Sequence, residues 1–241
     1  RDRGLSLTVY FGTRKASAST ADLDPGSIEA TIEQACAIAR YTEEDPCAGL
    51  ADAARMATRF PDFDLWHPLP LDADAAIARA LACEEAGRAA DARIANSEGA
   101  NASQSQSIGV YANSHGFLGA ESGTSHGLSL SLIAGEGEAM QRDYWYDGHC
   151  HPDVLASPET VGRRAAERTV ARLDPRAAPT GTYPVLYSAE VARSLIGHLL
   201  GAVSGGALYR RASFLLDHLG KPVLPRGIDL IERPHLLRGH R

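Results

Sequence analysis

The sequence lacks a membrane-spanning run. Its most apolar stretch, Leu199 to Tyr209, carries Ser204 and three glycines, whereas a spanning helix needs about 20 apolar residues. The start, Arg1-Asp2-Arg3-Gly4-Leu5, has no apolar core of the kind a signal peptide carries. There is no CxxC pair. Cys36, Cys47, Cys83 and Cys150 are scattered, so reduced thiols in a cytoplasmic setting are expected rather than a disulfide framework. No histidine is followed by glutamate, which removes the HExxH zinc helix and its longer-spaced variants. A basic excess is also missing. Lys+Arg 24 against Asp+Glu 30 leaves a net charge of −6, which argues against nucleic acid or an anionic membrane as a partner held by net charge. The lone cluster Tyr209-Arg210-Arg211 is too small to reverse that reading.

What is present is globular. The chain has 241 residues, 44% hydrophobic and 22% charged, enough for one large domain or two modest ones with a sizeable core. Leu5, Leu7, Val9 and Phe11 alternate with polar residues, and Lys15–Thr20 follows a Gly12-Thr13 turn, so residues 5–20 read as a hairpin. Asp24 and Pro25 open a helix with Ile28, Ile32, Ala35, Cys36 and Ala39 inward. Residues 41–72 are irregular because four X-Pro steps push the chain away from helix. Asp72 caps a helix to about Arg88, with Ile77, Ala80, Leu81 and Cys83–Ala86 inward. Ala95–Gly99 is turn-like. Ile108–Ala112, Leu128–Ile133 and Gln141–Tyr146 read as strands of a sheet with one wet face. Ser157-Pro158 opens a helix with Val161, Ala165, Ala166, Val170 and Leu173 inward. After the Pro175–Pro179 linker come a strand, Tyr183–Tyr187, and a helix capped by Ser188 that runs from Glu190 to about Val203. The fold class expected is α+β, antiparallel sheets flanked by helices.

The residues able to carry chemistry are few. Gly197, Gly201 and Gly205 recur every four residues, and each costs about 1 kcal/mol in a helix relative to Ala. Either another backbone approaches that face closely, or the helix simply breaks at Gly205-Gly206. His198 lies among them as a metal candidate without visible companions, and a packed core histidine is the plainer reading. His149 and His151 flank Cys150, and as alternate strand residues they could share one metal. A surface loop before Pro152 is the plainer reading there. Ser114-His115 and Ser125-His126 put a histidine beside a hydroxyl without a nucleophile elbow. Asp62-Phe63-Asp64 and Glu136-Gly137-Glu138 read as solvated acidic stretches.

Several long blocks, in order along nearly the whole chain, resemble the TldD/PmbA metallopeptidase family on its PmbA (TldE) side. They are Arg14–Leu23, Ile38–Thr42 with Asp45-Pro46-Cys47-Ala48-Gly49, Asn113–Gly116, Arg142-Asp143-Tyr144, Gly197-His198-Leu199, Phe214–Asp217 and Pro234–Gly239. The family's chains are longer at both ends, so a multi-domain chain truncated at both ends is expected. The boundaries expected are an N-terminal family domain ending in 1–44, a central domain over 51–173 and the start of a C-terminal domain over 180–241. The resemblance implies a bacterial cytoplasmic protein linked to peptide processing, such as microcin maturation and antitoxin degradation; an older family description is modulator of DNA gyrase. TldD-type members carry an HExxxH zinc motif. PmbA-type members form a heterodimer with TldD around a chamber for unfolded peptides.

Matching Gly197-His198 to that motif puts Arg193 at the first zinc-binding histidine and Ser194 at the general-base glutamate, and only His198 survives. Arginine does not ligate zinc, and serine cannot take a proton from metal-bound water as a carboxylate does. Three readings stay open. The first is a non-catalytic subunit whose zinc belongs to a TldD-type partner, with no cofactor of its own. The second is a metallopeptidase in its own right using His149, His151 or His198. The third is a gyrase-related interaction protein. A peptide substrate is expected to add as a strand to a sheet edge.

Overall fold

The computed structural model describes residues 2–239. It divides into two compact units, one holding the residues up to Asp62 with Gln106–Thr124, the other Phe63–Ser105 with the residues from Ser125 onward.

In the first unit, β1 (Leu5–Phe11) and β2 (Arg14–Thr20) form the expected antiparallel hairpin, registered from Leu5↔Thr20 to Phe11↔Arg14. Gly12 turns it at φ 62°, where glycine meets no Cβ penalty. Helix α1 (Pro25–Ala39) packs on the hairpin. Its buried stripe is Thr31, Ala35 and Ala39, four residues apart, so the expected inward Ile32 is exposed instead. The small residues allow the helix to lie close to β2, where Ala16 is buried. Asp24 stands at the N-cap without a side-chain bond. Asp22 does the local work, accepting from Asp24 N–H at 3.0 Å and from the Ser27 hydroxyl at 2.6 Å. Further on, Asn113 N–H donates to Phe117 C=O at 3.0 Å, closing a tight turn whose Phe117 ring lies 5.6 Å from the Phe60 ring, tilted 59° to it.

The three-stranded sheet has the order β3 (Ile94–Ala112), β4 (Leu118–Ala134) and β5 (Gln141–His149), and the second unit holds β3 up to Ser105, β4 from Ser125 and all of β5. β4 and β5 run antiparallel, with Leu130↔Trp145 at the middle of the register. Both long strands exceed the expected segments. The Ala95–Gly99 stretch, expected to turn, is strand, because Gly99 at φ 110° absorbs a local kink without ending the pairing.

Leu128, Leu130 and Leu132 alternate with Ser129 and Ser131. The leucines are buried against Cys83 of α2 (Ala73–Ala89) and Val161, Ala165 and Ala166 of α3 (Pro158–Val170). On α2 the buried residues are Cys83 and Gly87, and the expected inward Ile77 and Leu81 are exposed. The helices cross at Gly87 and Gly162: a Cβ on Gly162 would come within 2.8 Å of Gly87 N. Asp72 caps α2 by accepting from Ala75 N–H at 2.8 Å, as its position in sequence implies.

Beyond α3 the expected strand Tyr183–Tyr187 is irregular and exposed, with Leu186 97% accessible. Among the described residues no strand lies beside it, and Pro184 offers no N–H to a ladder. Helix α4 (Ala189–Val203) stops at Ser204, whose side chain caps the short α5 (Gly205–Tyr209). No residue of α4 is buried. No described helix is long and apolar enough to cross a membrane.

Candidate functional site

Helix α4 carries the three positions matched to the zinc motif. Their local chemistry follows from exposed helical geometry. Ser194 donates its hydroxyl to Val191 C=O one turn back at 2.7 Å, a local bond that leaves the oxygen without an activating base. Arg193 reaches out of the helix and donates from Nη2 to the Tyr146 hydroxyl on β5 at 3.3 Å. That hydroxyl holds the guanidinium pKa above its ordinary value. His198 is exposed one turn further along. Glu190, in the first turn, lies 3.6 Å from Arg168 of α3. The helix is thus tied to the sheet unit by Arg193–Tyr146 and Arg168–Glu190, two contacts through polar tips rather than a packed face. Arg168 itself rests 5.2 Å over the Trp145 ring and 3.7 Å from Asp143.

Among the described residues the expected glycine stripe faces no close neighbour. A Cβ at Gly197, Gly201 or Gly205 would meet no heavy atom within 4 Å. The close helix–helix approach lies instead at Gly87 and Gly162. Small residues one turn apart, Cys83 with Gly87 and Gly162 with Ala166, are the sequence signal that could have located it.

His149 and His151 sit at the end of β5 and in the turn after it. The His149 ring nitrogen Nδ1 accepts from His151 N–H at 3.0 Å, and His151 Nδ1 accepts from Asp153 N–H at 3.2 Å. Both rings therefore spend one nitrogen on shaping the turn that ends in Pro152–Val154. The structure adds two histidines that the sequence did not group with them. The His67 ring lies 4.1 Å from the His151 ring, and the buried His126, opposite His149 in the β4–β5 register, hydrogen-bonds His67 C=O through Nε2 at 3.0 Å. His67 Nε2 stands 2.9 Å from Asp64 C=O and 3.1 Å from its carboxylate.

Asp64 also accepts from Arg238 Nε at 2.5 Å. Arg238 chiefly, with His67 and His151 adding, holds the Asp64 carboxyl below its ordinary pKa. An acidic stretch that reads as solvated is therefore the anchor for a residue 174 positions away.

Among the described residues no three His, Cys, Asp or Glu side chains gather so as to hold a metal ion. The zinc that the family description implies does not fit the α4 positions. One of the three is a cation, one a hydroxyl bonded to its own helix, and only His198 offers a ring nitrogen.

On the wet face of the sheet, Ser131 donates to Glu98 at 2.7 Å and Arg142 donates to the same carboxylate at 3.1 Å. These bonds lower the Glu98 pKa. A carboxylate so engaged ties three strands together and is a poor proton acceptor.

A sheet with two helices on one face, followed by an open helical segment, is the architecture in which relatives are recognised. Three domain models match in order: PmbA/TldA metallopeptidase domain 1 over residues 1–39, the central domain over 66–173 and the C-terminal domain over 180–241. The chain belongs to the PmbA/TldD metallopeptidase family.

It is 46% identical over 239 residues to Metalloprotease PmbA of Escherichia coli O157:H7, covering 99% of this chain and 53% of that protein. It is 45% identical over 237 residues to the Haemophilus influenzae PmbA homologue, covering 98% and 52%. The chain spans about half the length of the curated relatives it matches. Among solved structures, a Bacteroides thetaiotaomicron protein described as a candidate modulator of DNA gyrase superposes with TM-score 0.89 at 29% identity, over 98% of this chain and 54% of that one. TldE from Thermococcus kodakarensis shares the fold, with TM-score 0.60 at 18% identity over 85% and 46%.

Proposed function

We propose that this chain serves as a PmbA/TldE-like subunit of a bacterial, cytoplasmic TldD-type metallopeptidase complex that processes unfolded peptides, such as modified-peptide precursors and antitoxins. In this reading the zinc and its general base belong to a TldD-like partner, and this chain shapes the path of the peptide. The observation that carries it is α4: Arg193 and Ser194 occupy the motif positions and are engaged in other bonds, to Tyr146 and to Val191.

Peptide binding would use main-chain hydrogen bonds at an edge of the central sheet, a mode with little sequence preference. The test is zinc content and peptidase activity of the family-length protein, purified alone and with a TldD-type partner. Near-zero zinc alone and cleavage only in the mixture are expected. One zinc per chain, lost when His149, His151 or His198 is replaced, would establish an enzyme in its own right and overturn the proposal.

The likeness to the Bacteroides protein described as a candidate modulator of DNA gyrase favours a second reading, a gyrase-related interaction protein. A stable complex with gyrase, together with unchanged peptide cleavage when this subunit is omitted, would select it.

A further inference from the structure

The central sheet has two edge strands, β3 and β5. An edge offers alternate N–H and C=O groups to any extended chain that comes alongside. These two edges differ.

Along β5, Asp143 accepts the amide of Tyr144 at 2.8 Å and Asp147 accepts the amide of Gly148 at 3.0 Å. Each carboxylate is held by its other oxygen: Asp147 accepts from Ala156 N–H at 2.7 Å, and Asp143 lies 3.6 Å from Arg172. The Asp143 carbonyl also accepts the Thr169 hydroxyl of α3 at 3.3 Å. An incoming strand would have to displace charge-assisted bonds that are already anchored.

Along β3 the side-chain bonds to amides stop early. Ser97 N–H is held by Asn96 and Gly99 N–H by Ser97. From Ala100 to Ser105, among the described residues, only sheet pairing engages the backbone. That stretch reads Ala-Asn-Ala-Ser-Gln-Ser, with no proline and no charge, the residues that ordinarily guard an edge. Ala100, Ala102, Ser103 and Ser105 are small and leave room for the side chains a guest strand brings.

We propose that Ala100–Ser105 of β3 is the acceptor edge for an extended, proline-free peptide, and that Asp143 and Asp147 close β5 against the same event. The inference rests on the peptide-processing reading above. A peptide is the occupant that a metallopeptidase family model implies for an open, sequence-tolerant edge. Hydrogen–deuterium exchange on the family-length protein tests it, with a short alternating Ser/Val peptide as probe and its alternately N-methylated form as control.

Slowed exchange over 100–105 with the first probe and none with the second is expected, with 141–149 unchanged. In the Asp143→Ala/Asp147→Ala variant, probe-dependent slowing should appear at 141–149 as well. If that variant misfolds, the unmodified protein alone decides between the edges. Binding of the probe with slowing at β5 or elsewhere, and none at 100–105, would overturn the edge assignment and leave peptide binding standing. Absence of any probe binding by fluorescence titration would remove the underlying reading and the inference with it. Slowing at 100–105 that needs no peptide and grows with protein concentration would make a second copy the occupant and overturn the inference.

Discussion

Two sets of helical glycines look alike in sequence and face opposite surroundings. Gly87 and Gly162 lie where α2 and α3 cross over Leu130 and Leu132, with backbone atoms of one helix where a Cβ on the other would stand. Gly197, Gly201 and Gly205 repeat more regularly, yet open onto nothing within 4 Å. The same contrast runs through the apolar residues. Leu128, Leu130 and Leu132 are 0–1% accessible, while Val191, Leu195, Leu200 and Val203 of the more apolar α4 remain 47–55% accessible. Hydropathy shows which face seeks cover, and burial depends on whether a neighbour of matching shape arrives.

The most direct test of this contrast is at the helix crossing. Gly162→Ala forces a methyl into the α2 backbone, and overpacking of this kind costs about 1–3 kcal/mol. Gly201→Ala in this chain meets open space and gains up to about 1 kcal/mol of helix propensity. Thermal unfolding of the two variants should therefore shift in opposite directions. A loss at Gly201 of the size seen at Gly162 would mean that α4 has a covered face.

The leucine pair gives an effect of similar kind. Leu130→Ala empties a buried site and should cost about 2–5 kcal/mol, whereas Leu200→Ala on the exposed helix should stay within about 0.5 kcal/mol. Denaturant midpoints read both. In a family-length protein, a rise in the Leu200 cost would sharpen the comparison by locating cover for α4.

The smallest effect is chemical. Burial, with Glu159 and Glu84 adding, pushes the Cys83 thiol up from 9.0 to about 11. The unfolded chain ionises this thiol first, so its contribution to stability is complete below about pH 9 and is lost as pH rises toward about 11. At neutral pH an alkylating reagent should label the exposed Cys47 quickly and Cys83 only on unfolding. Equal labelling rates in native buffer would show that the α2–α3–β4 core opens readily.

Much of this was legible along the chain. The β1–β2 hairpin, the caps at Asp72 and Ser157, and the leucine–serine alternation of β4 are local patterns, and each appears as read. The resemblance to the family rested on blocks such as Asn113–Gly116 and Gly197-His198-Leu199, and the same resemblance is what aligns Arg193 and Ser194 with the motif positions.

Other features depend on residues distant along the chain. The bonds of Asp64 to His67 and Arg238, the Glu98–Ser131–Arg142 bridge across three strands and the aspartates that close β5 join groups that have no reason to meet until the sheet forms. Tyr183–Tyr187 shows the converse, a strand-like pattern left irregular because no strand among the described residues pairs with it. Composition, periodicity and motif are one-dimensional, so the sequence determined most of the elements and the family. Which glycines are crossed, which apolar face is buried and which sheet edge stays open are pairings in space, and those the tertiary structure alone decided.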